Sequence, residues 1–129
     1  MSMDRYEALY DFWSGFGIPA YEENNVPENA AFPYITYEST IGSFESVIPL
    51  SASIWDRTTK GTAFIDTKAD EIEQYISSMN DCPIIKNGRY RVFIEGPFAS
   101  NMGDPDDKLI KRKHLNVYFE FMTTTNKGG

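Results

Sequence analysis

The sequence predicts an α+β domain of two layers: a four-stranded, mainly antiparallel or mixed sheet with two helices packed on one face, in the order α-β-β-α-β-β. Two observations predict it. Two stretches repeat apolar residues at steps of three and four, the period of a helix. Four others alternate apolar and polar residues, the period of a strand, and Pro- and Gly-rich segments separate them.

The first helix is expected over 4–16. Asp4 caps it and Glu7, three residues on, completes a capping box. Tyr6, Leu9, Tyr10, Trp13 and Phe16 are expected on one face, and Gly15, Gly17 and Pro19 end the helix. Residues 18–33 are expected as a loop, stiffened by Pro19, Pro27 and Pro33. A loop of that length calls for a functional reason. Strands follow over 34–39 and 47–55. The second has Ile48, Leu50, Ala52 and Ile54 on its inner face, and Pro49 places its start at an edge or a bulge. A second helix over 64–79 carries the seam Ile65, Ala69, Ile72, Ile76 and Met79, with acids in its first half. Asn87-Gly88 marks a turn. A third strand covers 89–95, with Tyr90, Val92 and Ile94 inward. Residues 96–107 are expected as a second long loop. The fourth strand covers 114–122, with Leu115, Val117, Phe119 and Phe121 inward, and 123–129 is expected as a frayed polar tail.

The chain has 129 residues, enough for one domain with a real core. Aromatic residues make up 15%, which argues against a disordered chain. The net charge is −7 and unevenly spread: residues 1–85 hold 14 acids and 4 bases, whereas residues 86–113 hold 7 bases and 4 acids. An acidic chain argues against a free nucleic-acid-binding module, and two regions of opposite sign suit head-to-tail self-association. With one cysteine, Cys82, no intrachain disulfide forms, and with one histidine, His114, the usual zinc ligand sets are out of reach. The first residues lack a signal-peptide profile and no apolar run reaches membrane-spanning length, so a reducing cytoplasm is expected.

Motifs that carry chemistry fail on context. Gly15-Phe16-Gly17-Ile18-Pro19-Ala20 has dinucleotide-fingerprint glycines, but it follows a helix and Pro19 blocks the helix start it needs. Asp104, Asp106 and Asp107 resemble the start of a calcium loop, yet Leu115 stands where that loop needs a bidentate Glu. His114 lies on an outward strand face without an orienting carboxylate nearby in sequence. No enzyme activity, metal or cofactor is expected. Lys111-Arg112-Lys113 is the densest basic run. It reads as a charged strand entrance that discourages edge pairing or as a contact for an acidic protein surface, with nucleic acid third because the run lacks interleaved aromatics for base stacking.

Phe16-Gly17-Ile18-Pro19-Ala20-Tyr21-Glu22-Glu23-Asn24-Asn25-Val26-Pro27, Phe32-Pro33-Tyr34-Ile35-Thr36-Tyr37, Ser51-Ala52-Ser53-Ile54-Trp55-Asp56-Arg57 and Ala69-Asp70-Glu71-Ile72 together resemble the tail terminator family of long-tailed phages and prophages. These proteins are also called tail completion or head-tail joining proteins, and the likeness spans residues 6–122. The resemblance implies a structural, non-catalytic homo-oligomer, typically a hexameric ring, on the head-proximal end of the tail tube. Its partners would be the tail tube protein and a head connector or neck protein. It would be assembled in the host cytoplasm and end in the virion tail, with nucleic acid only passing through the ring. A neck or head-completion protein, and a small-molecule or nucleic-acid binding module, are the alternatives.

Two segments are expected to carry the contacts. One is the 18–33 loop with Tyr21, Glu22, Glu23 and Phe32. The other is an arm over 98–113 with Phe98, Asp104, Asp106, Asp107, Lys108, Lys111, Arg112 and Lys113, its acids at the tip and its bases at the foot. Arg89 and Arg91 add to the basic side.

Overall fold

Helix α1 (Arg5–Trp13) opens the described residues, 3–123, of the computed structural model. Asp4 and Glu7 form the expected capping box, each side chain accepting from the other's backbone N–H. A single 3-10 turn (Ser14–Phe16) continues α1 and ends at Gly17, whose φ of 84° is the left-handed conformation that glycine adopts without strain. The buried face of α1 is Ala8, Leu9, Phe12 and Trp13, with Phe16 beyond it. Tyr6 and Tyr10, expected inward, are 55% and 54% exposed. The helix is rotated toward Phe12, which meets Phe119 edge-to-face at 5.5 Å, while the two tyrosines keep their hydroxyl ends in water.

The expected single four-stranded sheet is two sheets, of five and four strands. The strands are β1 (Ala20–Glu22), β2 (Tyr34–Tyr37), β3 (Val47–Pro49), β4 (Ala52–Arg57), β5 (Ile84–Ile85), β6 (Gly88–Phe93), β7 (Ala99–Gly103), β8 (Ile110–Leu115) and β9 (Tyr118–Thr123). The first sheet runs β1-β2-β4-β8-β7 and the second β3-β9-β6-β5. All pairings are antiparallel except β1 with β2.

The element order departs from expectation first because long strands bend and pass from one sheet to the other. The strand expected over 47–55 is β3 and β4, and the one expected over 114–122 is β9 with the end of β8; the first four residues of β8, 110–113, and all of β7 fall in the segment expected as a projecting arm, which instead lies in the sheet beside β4. The mutual register of the two long strands never slips. Ile48 faces Phe119, the Leu50 N–H donates to the Val117 carbonyl at 2.9 Å, and Ala52 faces Leu115. Pro49 stands at an edge, in β3, as a residue without an N–H must. Three further strands lie where none was expected. β1 falls within 18–33, β5 just before the Asn87-Gly88 turn, and β7 within 96–107. Neither Ala-Tyr-Glu nor Ala-Ser-Asn-Met-Gly alternates, so pairing with β2 and β8 decides their conformation. The polar tail expected from 123 lies, from 124 on, outside the described residues.

Helix α2 (Ala63–Ser78) bears out the predicted seam: Ile65, Ala69, Ile72 and Ile76 are buried, with Met79 half-buried beyond them. They join Ile54, Val92, Leu115, Val117, Phe119 and Phe121 in one core cluster with the buried face of α1. The Lys68 ammonium donates to the Phe16 carbonyl at 2.7 Å and so ties α2 to the end of the 3-10 turn. Asn87-Gly88 forms the expected turn between β5 and β6, and a Cβ on Gly88 would run into the Met122 carbonyl. Among the described residues, no helix is long and apolar enough to cross a membrane.

Candidate functional site

Alternation along the five-stranded sheet sends Ile35, Ile54 and Leu115 to the core. The residues between them face outward, and the register lines them up in rows. Tyr34 faces Trp55, Trp55 faces Arg112, and Arg112 faces Met102, which gives one row across β2, β4, β8 and β7. Thr36, Ser53, His114 and Ser100 make the adjacent row by the same register. Two more rings join Tyr34 by contact, Tyr21 from its place opposite Thr36 and Phe32 from the preceding loop. Tyr21 meets Tyr34 edge-to-face at 5.6 Å, and Phe32 packs on Tyr34 at 5.1 Å.

The polar atoms of this face hold one another. The Trp55 indole N–H donates to Thr36 Oγ1 at 2.9 Å, and Arg112 Nε donates to Ser53 Oγ at 2.9 Å. The Arg112 guanidinium lies over the Trp55 ring, 4.7 Å from its centre. Glu38 accepts the Ser51 N–H at 2.7 Å. Glu23, Glu38, Arg112 and His114 line a shallow groove of about 380 Å³ floored by Thr36 and Ser53. Lost hydration raises the Glu23 carboxyl above its usual range, Glu38 and Glu22 add to that, and Arg112 opposes it. Arg112 has no carboxylate within ion-pair distance among the described residues, so its outer donors are open to an acceptor from another molecule. Among the described residues, His114 Nδ1 is buried without a hydrogen-bond partner. Among the described residues, no group of three His, Cys, Asp or Glu is placed to hold a metal ion.

The structure brings together Tyr21, Glu23, Phe32 and Arg112, predicted from two distant segments, on this one face. It disperses the rest. Glu22 turns into its own loop, accepting from the Asn24 N–H at 3.0 Å and from Ser39 Oγ at 3.2 Å. Phe98 is buried in the core. Asp104 accepts the Asp106 N–H at 2.8 Å in the β7–β8 turn, with the Asp106 side chain exposed. Asp107 accepts the Leu109 N–H at 2.9 Å and is bridged to Arg57 at 3.0 Å, and these contacts, the Leu109 N–H foremost, lower its pKa. Lys111 donates to the Lys108 carbonyl at 2.7 Å, and Lys113 pairs with Asp66 of α2 at 2.8 Å. Arg89 donates to the Cys82 carbonyl at 3.1 Å, and Arg91 pairs with Glu120 at 2.6 Å and covers Phe93, both on the four-stranded sheet. The basic run is therefore split. Arg112 points to the outer face, and Lys113 points across the sheet toward α2.

Sequence reasoning missed Tyr34, Trp55, Glu38 and Met102. A signal for Trp55 exists: it sits out of phase with Ile54, at a solvent-facing strand position where a bulky aromatic calls for an explanation. Met102 carried none, because β7 does not alternate.

Fold and surface define an α+β protein with one outward sheet face of aromatic residues, arginine and methionine. Searched against family models and against curated proteins, the chain matches none.

Proposed function

We propose that this protein is a structural assembly protein of the tail-terminator kind. Copies form a ring, with six as the order the resemblance implies, on the head-proximal end of a phage tail tube. There the ring removes the surface on which the next tube layer would polymerise and presents one to a head connector or neck protein. The action is steric, without catalysis or a cofactor.

One observation carries this reading. The row Tyr34, Trp55, Arg112 and Met102, with Tyr21 against Tyr34, has the composition of a protein-binding hot spot, in which aromatic residues and Arg dominate. Three of the segments that resemble the family, within 16–27, 32–37 and 51–57, form the neighbouring strands β1, β2 and β4 that build this face. Glu23 and Glu38 beside the row, on a chain of net charge −7, disfavour nucleic acid there.

The test is light scattering after size exclusion, with negative-stain imaging of the concentrated protein. Rings that appear with concentration, and that weaken when Tyr34→Ser and Trp55→Ala thin the face, are the expected result. A chain that stays monomeric and is stabilised only by small molecules overturns the reading.

A further inference from the structure

The two sheets leave four edges, at β1 and β7 of one and β3 and β5 of the other. An open edge invites another strand, and proteins guard against that with charge, proline or brevity. Three of the four are guarded. β5 is two residues long, and β3 is three residues with Pro49 at its end. β1 is three residues ending in Glu22, whose carbonyl already accepts the Asn25 N–H at 2.8 Å. The fourth, β7, has five residues, Ala99-Ser100-Asn101-Met102-Gly103, without charge or proline, and all but Ala99 are exposed.

The backbone of β7 shows which groups are free. Asn116 N–H donates to the Phe98 carbonyl at 2.7 Å, so residue 98 turns its backbone toward β8. By antiparallel alternation Ser100 and Met102 do the same, and Ala99, Asn101 and Gly103 turn their N–H and C=O groups outward. Among the described residues, these outward groups have no hydrogen-bond partner.

We infer that β7 is a strand-addition seam, and that its occupant is β7 of a second copy of this chain, running antiparallel about a two-fold axis at Asn101. Self-complementarity selects that occupant. Centred on Asn101, Ala99 meets Gly103 and Ser100 meets Met102, so no like charges oppose each other within the strand. The pairing joins two five-stranded sheets into one of ten and continues the outer row from Met102 of one copy into the other. A two-fold contact closes on itself, so the seam stands independently of the contact that would close a ring.

Crosslinking reads the register directly. In a Cys82→Ser background, Asn101→Cys places two thiols opposite each other across the axis, at a Cα separation of about 5.5 Å that a disulfide spans. Ser100→Cys places its thiol opposite Met102 instead. Mild oxidation is expected to give a covalent dimer for Asn101→Cys and a monomer for Ser100→Cys. Equal crosslinking of both, or none of either, overturns the seam. Proline separates association from folding. Asn101→Pro removes an outward N–H and leaves the β7–β8 ladder intact, so the circular dichroism spectrum should be kept. Dimer affinity should fall about tenfold or more, because two hydrogen bonds across the seam go at once. Unchanged dimerisation in Asn101→Pro also overturns the seam. Dimer lost with rings kept in that variant supports the seam and leaves the assembly reading standing, whereas dimer kept overturns the seam alone.

Discussion

Two carboxylates of this molecule are displaced in opposite directions, and each displacement is a statement about stability. Glu23 sits in the groove with its hydration reduced and with Glu38 and Glu22 nearby, so its proton is held more tightly in the folded chain. A raised folded pKa contributes stability below the unfolded value of 4.5, and that contribution is lost as the pH rises through the folded value. Glu23→Gln is therefore expected to raise the melting temperature at pH 7, with the gain shrinking toward pH 4 in thermal melts. Asp66 is the reverse case. Lys113 and Thr62 hold its carboxyl below the usual 3.8 by hydrogen bonds. Its contribution is present above that value and is lost as the pH falls. Asp66→Asn should lower the melting temperature at pH 7 and bring the two curves together in acid. Charge patterning could not reveal this pair, because Lys113 meets a partner 47 residues away. Sequence alone makes Lys111-Arg112-Lys113 one basic patch, and strand alternation sends its members to opposite faces.

The elements divide by how much their own residues decide. The α2 seam was legible because Ile65, Ala69, Ile72 and Ile76 repeat at one period against polar neighbours. The capping box of α1 was legible for an equally local reason. The face of α1 was not: Tyr6 and Tyr10 share the period of a buried stripe, and Phe12 completes a competing stripe that wins by packing on Phe119. Equilibrium denaturation separates the two. Phe12→Ala should cost about 3–5 kcal/mol, and Tyr10→Ala only about 0.5 kcal/mol or less. The inward residues of β4, β6 and β9, and Leu115 at the end of β8, were legible from alternation. The bends between β3 and β4 and between β8 and β9 were not, since a strand that changes sheets keeps its alternation. β1 and β7 exist through their neighbours, and a stretch such as Ala99–Gly103 holds no signal until β8 lies beside it.

At the scale of the whole molecule, the candidate surface was legible in part. Tyr21, Glu23, Phe32 and Arg112 converge, although the loops expected to present them are partly sheet. The pairing that unites the two sheets also sets when the fold becomes available. β4 lies between β2 and β8, and 53 residues separate Arg57 from its partner Ile110. Contacts of such separation slow folding, so refolding from denaturant should take milliseconds to seconds. Stopped-flow fluorescence of the buried Trp13 reads it, and microsecond refolding would contradict it. During synthesis at about 5–20 residues per second, β4 therefore waits several seconds for the strand that flanks it. For that interval the growing chain carries β4 with one side unclaimed, exposed to any other strand until residues 110–115 emerge to cover it.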